Sequence, residues 1–111
     1  MVTASTLRED IEMNLQAVDA ELDILPQRLD DMDNYGNWAG NEWMNIMARF
    51  ECLAELARRG ELTTAEFAGY HSLLRVLHRN YALTLHLDLP IPELVLREAE
   101  HLVGKPLDRA A

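Results

Sequence analysis

Four histidines and nineteen carboxylates are the residues of this 111-residue chain with which chemistry could be done. His71 and His78 stand seven apart, on one face of any helix that holds both. At 1.5 Å rise per residue they lie roughly 10 Å apart, too far to share one ion without rearrangement. Neither has a histidine or carboxylate four residues away. Glu98 and His101 make a single Glu-x-x-His, whereas a carboxylate-bridged di-iron bundle needs that motif twice, with further Glu on other helices. His86 and Asp88 read as a local polar pair near a helix C-terminus. No phosphate-binding loop, dinucleotide fingerprint, nucleophile elbow or His-Glu-x-x-His is present. The expectation is no catalytic residue, no metal and no cofactor. The alternative from that class is a small helical metal-binding protein or enzyme using His71, His78 or Glu98 with His101.

The single cysteine, Cys52, excludes an internal disulfide and a cysteine-based zinc cluster. It falls beside a core stripe and reads as a buried or half-buried filler.

The acids are distributed unevenly. Residues 9–33 carry nine acids and one base, Arg28, within a chain whose formal net charge is −9. If these residues form one helix, Glu12, Asp19, Asp23, Asp30, Asp31 and Asp33 fall along one flank with Glu9 and Asp10, and Glu21 falls on the other. An acidic stripe of this kind suits docking to a basic protein, steered by charge. A sharper version is phosphate mimicry, in which an acidic inhibitor or immunity-type protein blocks a nucleic-acid-binding enzyme. A merely solvated helix face gives the same pattern. The net charge opposes direct nucleic-acid binding and anionic membranes. Tyr35 and Trp38, beside Gly and Asn, are the candidate aromatic contacts. Trp43 starts a core seam and reads as packing.

The elements that must position these residues are all helical. Leucine, isoleucine, valine and methionine at positions 11, 15, 18, 22, 25, 29 and 32 alternate in steps of four and three, a helix-packing seam. Thr6 and Glu9 have the form of a capping box. Pro26 interrupts the seam without shifting its phase, which predicts a kink. Residues 35–41 hold loop-forming Gly and Asn, and Asn41 is expected to cap the next helix, with Asn37 as a rival start. Trp43, Ile46, Met47, Phe50, Leu53, Ala54 and Ala57 recur at helical spacing, and Gly60 suits a left-handed stop. Thr63 and Glu66 form a second box, followed by an apolar pattern running to Leu87. Pro90 and Pro92 end that helix and start a short last one, which Gly104 and Pro106 stop.

Leu53, Leu56, Gly60, Leu62, Thr63, Glu66, Phe67, Leu73 and Leu74 together resemble the hairpin of short SHOCT-type domains, over about a fifth of the chain. The likeness implies a helical hairpin. The lysines usual in that pattern are missing here, and no function is carried over.

The expected fold is all-α. Residues 1–111 form one small helical bundle, with a long, kinked N-terminal helix (6–33), a central antiparallel hairpin (41–59 and 64–87) and a short C-terminal helix (92–103). The breadth of the apolar face over 64–87 suggests a homodimer. No apolar run approaches the roughly 18 residues of a membrane span, and residues 1–5 do not read as a signal peptide. The expected function is non-enzymatic protein–protein interaction in the cytoplasm, through an acidic surface that meets a basic partner.

Overall fold

A computed structural model describes residues 4–30 and 38–107, with the side chains of 6–27 and 42–107. The described residues are helical throughout, apart from turns and short connectors: α1 Ala4–Asp23, α2 Leu25–Asp30, α3 Trp38–Arg58, α4 Thr64–Arg79, α5 Tyr81–His86 and α6 Glu93–Val103. This is the small all-α bundle expected, with a bent N-terminal helix.

The bend lies between α1 and α2. Ile24 is a single turn residue, and Gln27 N–H bonds back to the Ile24 carbonyl at 3.0 Å, three residues away rather than four. Pro26 has no N–H to continue the regular ladder, so the chain tightens and restarts. The apolar seam is buried at Ile11, Val18, Leu22 and Leu25, as far as Pro26; the side chain of Leu29 and all of Met32 lie outside the described residues. The predicted helix start at Thr6 is not the start observed. Thr6 lies inside α1, which begins at or before Ala4.

The helix α3 begins at Trp38, so Asn41 lies within its first turn rather than capping it. The first turn of any helix has no internal partners for its N–H groups, so Gly40 and Asn41 cost little there. The rival start, Asn37, lies outside the described residues. Trp43, Ile46, Met47, Phe50, Leu53 and Ala54 are buried along the predicted seam.

The turn from α3 to α4 has the predicted chemistry. Gly60 has φ +71°, and Glu61 N–H bonds to the Leu56 carbonyl at 3.0 Å, the long closing bond of a left-handed helix stop. Thr63 Oγ1 then accepts from Glu66 N–H at 3.2 Å, while Glu66 Oε1 accepts from Thr63 N–H at 2.8 Å. Both halves of the capping box are made.

The predicted helix over 64–87 is two helices. Asn80 separates α4 from α5. Its side-chain amide donates to the Val76 carbonyl at 2.8 Å, and its own N–H is shared between the Val76 and Leu77 carbonyls at 3.1 Å. A short polar side chain that competes for backbone groups loosens a helix at that point. The change of direction buries Tyr81 and Thr84 and brings α5 against α2. Asp88 ends α5 in the left-handed region, at φ 56°, and Leu89 N–H bonds back to the Thr84 carbonyl at 2.9 Å. The chain then returns, so that α6 runs beside α4. Trp43 Nε1–H donates to the Pro90 carbonyl and pins this return segment. Pro92 precedes α6, and Gly104 ends it at φ 78°.

In the assembled bundle α1 packs along α3 and α4, and α6 packs along α4 and α3. Tyr70, Leu73, Leu74 and Leu77 of α4 are therefore buried against other helices of the same chain. Most of the apolar breadth that suggested a homodimer is occupied within the chain, because α4 packs against α1 and α6, while Phe67 and Leu85 of that face stay exposed. Among the described residues, the large apolar side chains left exposed are Met13, Met44, Phe67 and Leu85.

Candidate functional site

The acidic flank of α1 follows from its seam. With Ile11, Val18 and Leu22 facing the core, Glu12, Asp19 and Asp23 face solvent. They are seven and four residues apart, so they share one face and span about 16 Å of helix. Glu9 and Asp10 are also exposed. Glu21, on the opposite flank, is buried and stands apart from the stripe. The side chain of Asp30, and all of Asp31 and Asp33, lie outside the described residues. So do Tyr35 and the side chain of Trp38, although the Trp38 backbone is helical.

Among the described residues, Glu12, Asp19 and Asp23 have no cationic partner. Two described cations, Arg8 and Arg49, are used elsewhere. Arg8 forms an ion pair with Glu66 and donates to the Glu61 carbonyl at 2.8 Å, clamping α1 to the α3–α4 turn. Arg49 donates to the Asn14 side-chain oxygen at 2.8 Å. Glu12 receives only a long contact from Gln16, at 3.5 Å. Asp19 and Gln16 border a shallow groove to α4, closed on the far side by Gly69, Ser72 and Leu73. The role of Arg8 was not legible in the sequence. Its partners lie more than fifty residues away, and a lone Arg carries no spacing signal.

A second grouping lies on the opposite side of α4. The seam with α6 holds a cleft of about 420 Å³, lined by Phe67, His71, Leu74, Glu98, His101 and Leu102. Three residues considered for metal binding thus share one cleft. Among the described residues, however, no three His, Cys, Asp or Glu side chains are placed to hold one ion. His71 stacks edge-on to Phe67 at 4.1 Å between ring centroids. Burial first, and the Arg75 guanidinium second, hold its imidazole pKa below the usual 6.5, with Glu98 opposing them. Behind the cleft sits Tyr70, its ring 6.3 Å from Phe67 and 6.2 Å from Phe50. The Tyr70 hydroxyl is buried and makes no hydrogen bond of good geometry. Burial, and then the nearby Glu98 carboxylate, push its pKa well above the usual tyrosine value.

His78 belongs to neither grouping. Its Nε2 lies 2.9 Å from the Lys105 carbonyl, so that nitrogen donates. His86 and Asp88 do not bond to one another. Cys52 is exposed rather than filling the core, and lines a groove between α1 and α3 with Met13, Asn14 and Arg49. It lies one residue before Leu53 on α3, and that single step turns it outward.

The chain matches no protein family, no curated protein and no solved structure with which it was compared. Of the residues shared with SHOCT-type hairpins, Gly60 is the helix stop, Thr63 and Glu66 the cap, Leu53, Leu73 and Leu74 core, and Phe67 is exposed.

Proposed function

We propose that this protein is a non-enzymatic interaction module whose α1 acidic face docks a basic protein partner. The observation that carries the reading is the row of Glu12, Asp19 and Asp23, exposed on one helix face and, among the described residues, left without cations. An unneutralised row on a rigid helix steers a cationic surface and fixes its register. Asp30, Asp31 and Asp33 belong to the proposed surface by sequence. Tyr35 and Trp38 are its proposed aromatic contacts. The cytoplasm is the proposed compartment; no described helix is long and apolar enough to cross a membrane. A homodimer stays part of the proposal. Its contact would use exposed apolar side chains, of which Phe67 and Leu85 lie on the 64–87 segment and Met13 and Met44 elsewhere.

The test is capture of proteins from a cell extract on immobilised wild type and on Glu12→Gln/Asp19→Asn/Asp23→Asn. These are surface changes and leave the helical circular-dichroism spectrum unaltered. The reading expects a basic protein retained by wild type at low salt and lost both at high salt and on the variant. Equal retention by the variant makes the stripe a solvated face only.

A further inference from the structure

Beyond the Tyr70 side of the α4–α6 seam, the seam opens again into a cleft of about 430 Å³, lined by Ser72, Arg75, His78, Arg79, Leu102 and Val103. Its charge is the reverse of the chain's. The protein carries 19 acids against 10 bases, yet no described carboxylate lines this cleft. Arg75 and Arg79 are four apart and share a face of α4, and Ser72 stands one turn before Arg75 in the same row. Both arginines are exposed. Neither makes an ion pair or hydrogen bond among the described residues. Arg8 and Arg97, by contrast, pair with Glu66 and Glu93. Within the lining, His78 Nε2–H is already used by the Lys105 backbone carbonyl.

We propose that this cleft binds a small phosphorylated molecule, with its phosphoryl group held between the Arg75 and Arg79 guanidiniums and the Ser72 hydroxyl. The guanidinium fork matches phosphate oxygens two at a time, which a single ammonium cannot do. Leu102 and Val103 give an apolar wall for the rest of the ligand. The cleft volume falls in the usual range for small-molecule sites, roughly 300–1,000 Å³. The charge of the whole chain sets the size of the ligand. A net charge of −9 repels an extended polyanion such as a nucleic acid more strongly than a small anion, whose nearest charges in this cleft are the two arginines. The proposal does not rest on the α1 stripe, although Ser72 also borders the groove that holds Asp19.

The experiment is a titration of the ¹⁵N-labelled full chain with pyrophosphate and with inorganic phosphate, at ionic strength held constant with sodium chloride. The proposal expects saturable amide shifts over residues 72–79 and 102–105, with pyrophosphate binding more tightly. Arg75→Gln/Arg79→Gln should weaken binding about tenfold or more, since two charge-assisted hydrogen-bonding groups are lost. The circular-dichroism spectrum of that variant should match wild type. Unsaturating drift across the whole chain overturns the proposal, as do equal affinities for wild type and variant. Light scattering on both proteins supplies the remaining arm. If removing the two arginines dissociates a dimer and leaves pyrophosphate shifts unaltered, the ridge is a self-contact and not a phosphate site.

Discussion

Tyr70 places a hydroxyl among Phe50, Phe67 and His71 where the protein gives it no well-formed hydrogen bond. A buried donor without a partner carries its desolvation cost uncompensated. Tyr70→Phe should therefore leave stability unchanged or raise it by up to about 1 kcal/mol. Urea denaturation checks this. A loss of about 2 kcal/mol would mean that the Glu98 carboxylate already satisfies the hydroxyl. His71 gives a pH prediction. Its folded pKa is lowered, so the native state takes up its proton less readily than the unfolded chain. Stability contributed by neutral His71 is present above the unfolded value of about 6.5 and falls as pH drops through it. Proton NMR of the ring should give a midpoint below 6.5, and His71→Gln should flatten the stability profile between about pH 7 and 5. At this scale the chain is partly legible. Trp43 reads correctly as core because its periodic neighbours vouch for it. Cys52 reads incorrectly because adjacent positions on a helix face different ways, and a small side chain gives no strong preference. Tyr70 belongs to the apolar seam by spacing, and spacing is silent about where its hydroxyl ends.

The α3–α4 turn joins local and long-range chemistry in one place. Gly60 and the Thr63/Glu66 box are made by residues within one turn of each other, and such motifs are legible from order alone. Arg8 adds what order does not show. It uses the capping carboxylate of Glu66 a second time, from the start of α1. Thr63→Ala should cost about 1 kcal/mol. Arg8→Ala should cost about as much or less, since its guanidinium is a third exposed and solvent screens the pair. Because both act on Glu66, their effects should be non-additive in a double-mutant cycle read by denaturant unfolding. Strict additivity would show the clamp and the cap to be independent. The elements misread from sequence have a common cause. Thr6, Asn41 and Asn80 are short polar residues that suit a cap, a first turn or a break about equally well. Spacing alone does not decide among these: α1 includes Thr6, α3 starts before Asn41, and the helix breaks at Asn80, beside buried Tyr81 and Thr84.

Over the whole molecule, the helices separate charge. The α1 seam turns Glu12, Asp19 and Asp23 outward on one side of α4, and the α4–α6 seam gathers Arg75 and Arg79 on the other. The bundle itself was legible because helix periodicity, glycine stops and proline breaks act through local physics. The placement of α1 and α6 on either side of α4 was not, because periodicity shows which face is buried and not what buries it. That placement also explains why most of an apolar face broad enough to suggest a second subunit is filled within the chain, Phe67 and Leu85 excepted. The acidic row is the central element of the functional account, and its energetics should be electrostatic. The most direct measurement is the dissociation constant of the captured basic partner, for wild type and Glu12→Gln/Asp19→Asn/Asp23→Asn, across a range of salt concentrations. The account predicts wild-type binding that weakens steadily as screening shortens the reach of charge below about 10 Å near 0.1 M salt. It predicts a variant weaker by roughly tenfold or more at low salt, with a flatter dependence. Equal constants and equal slopes for the two proteins would contradict it.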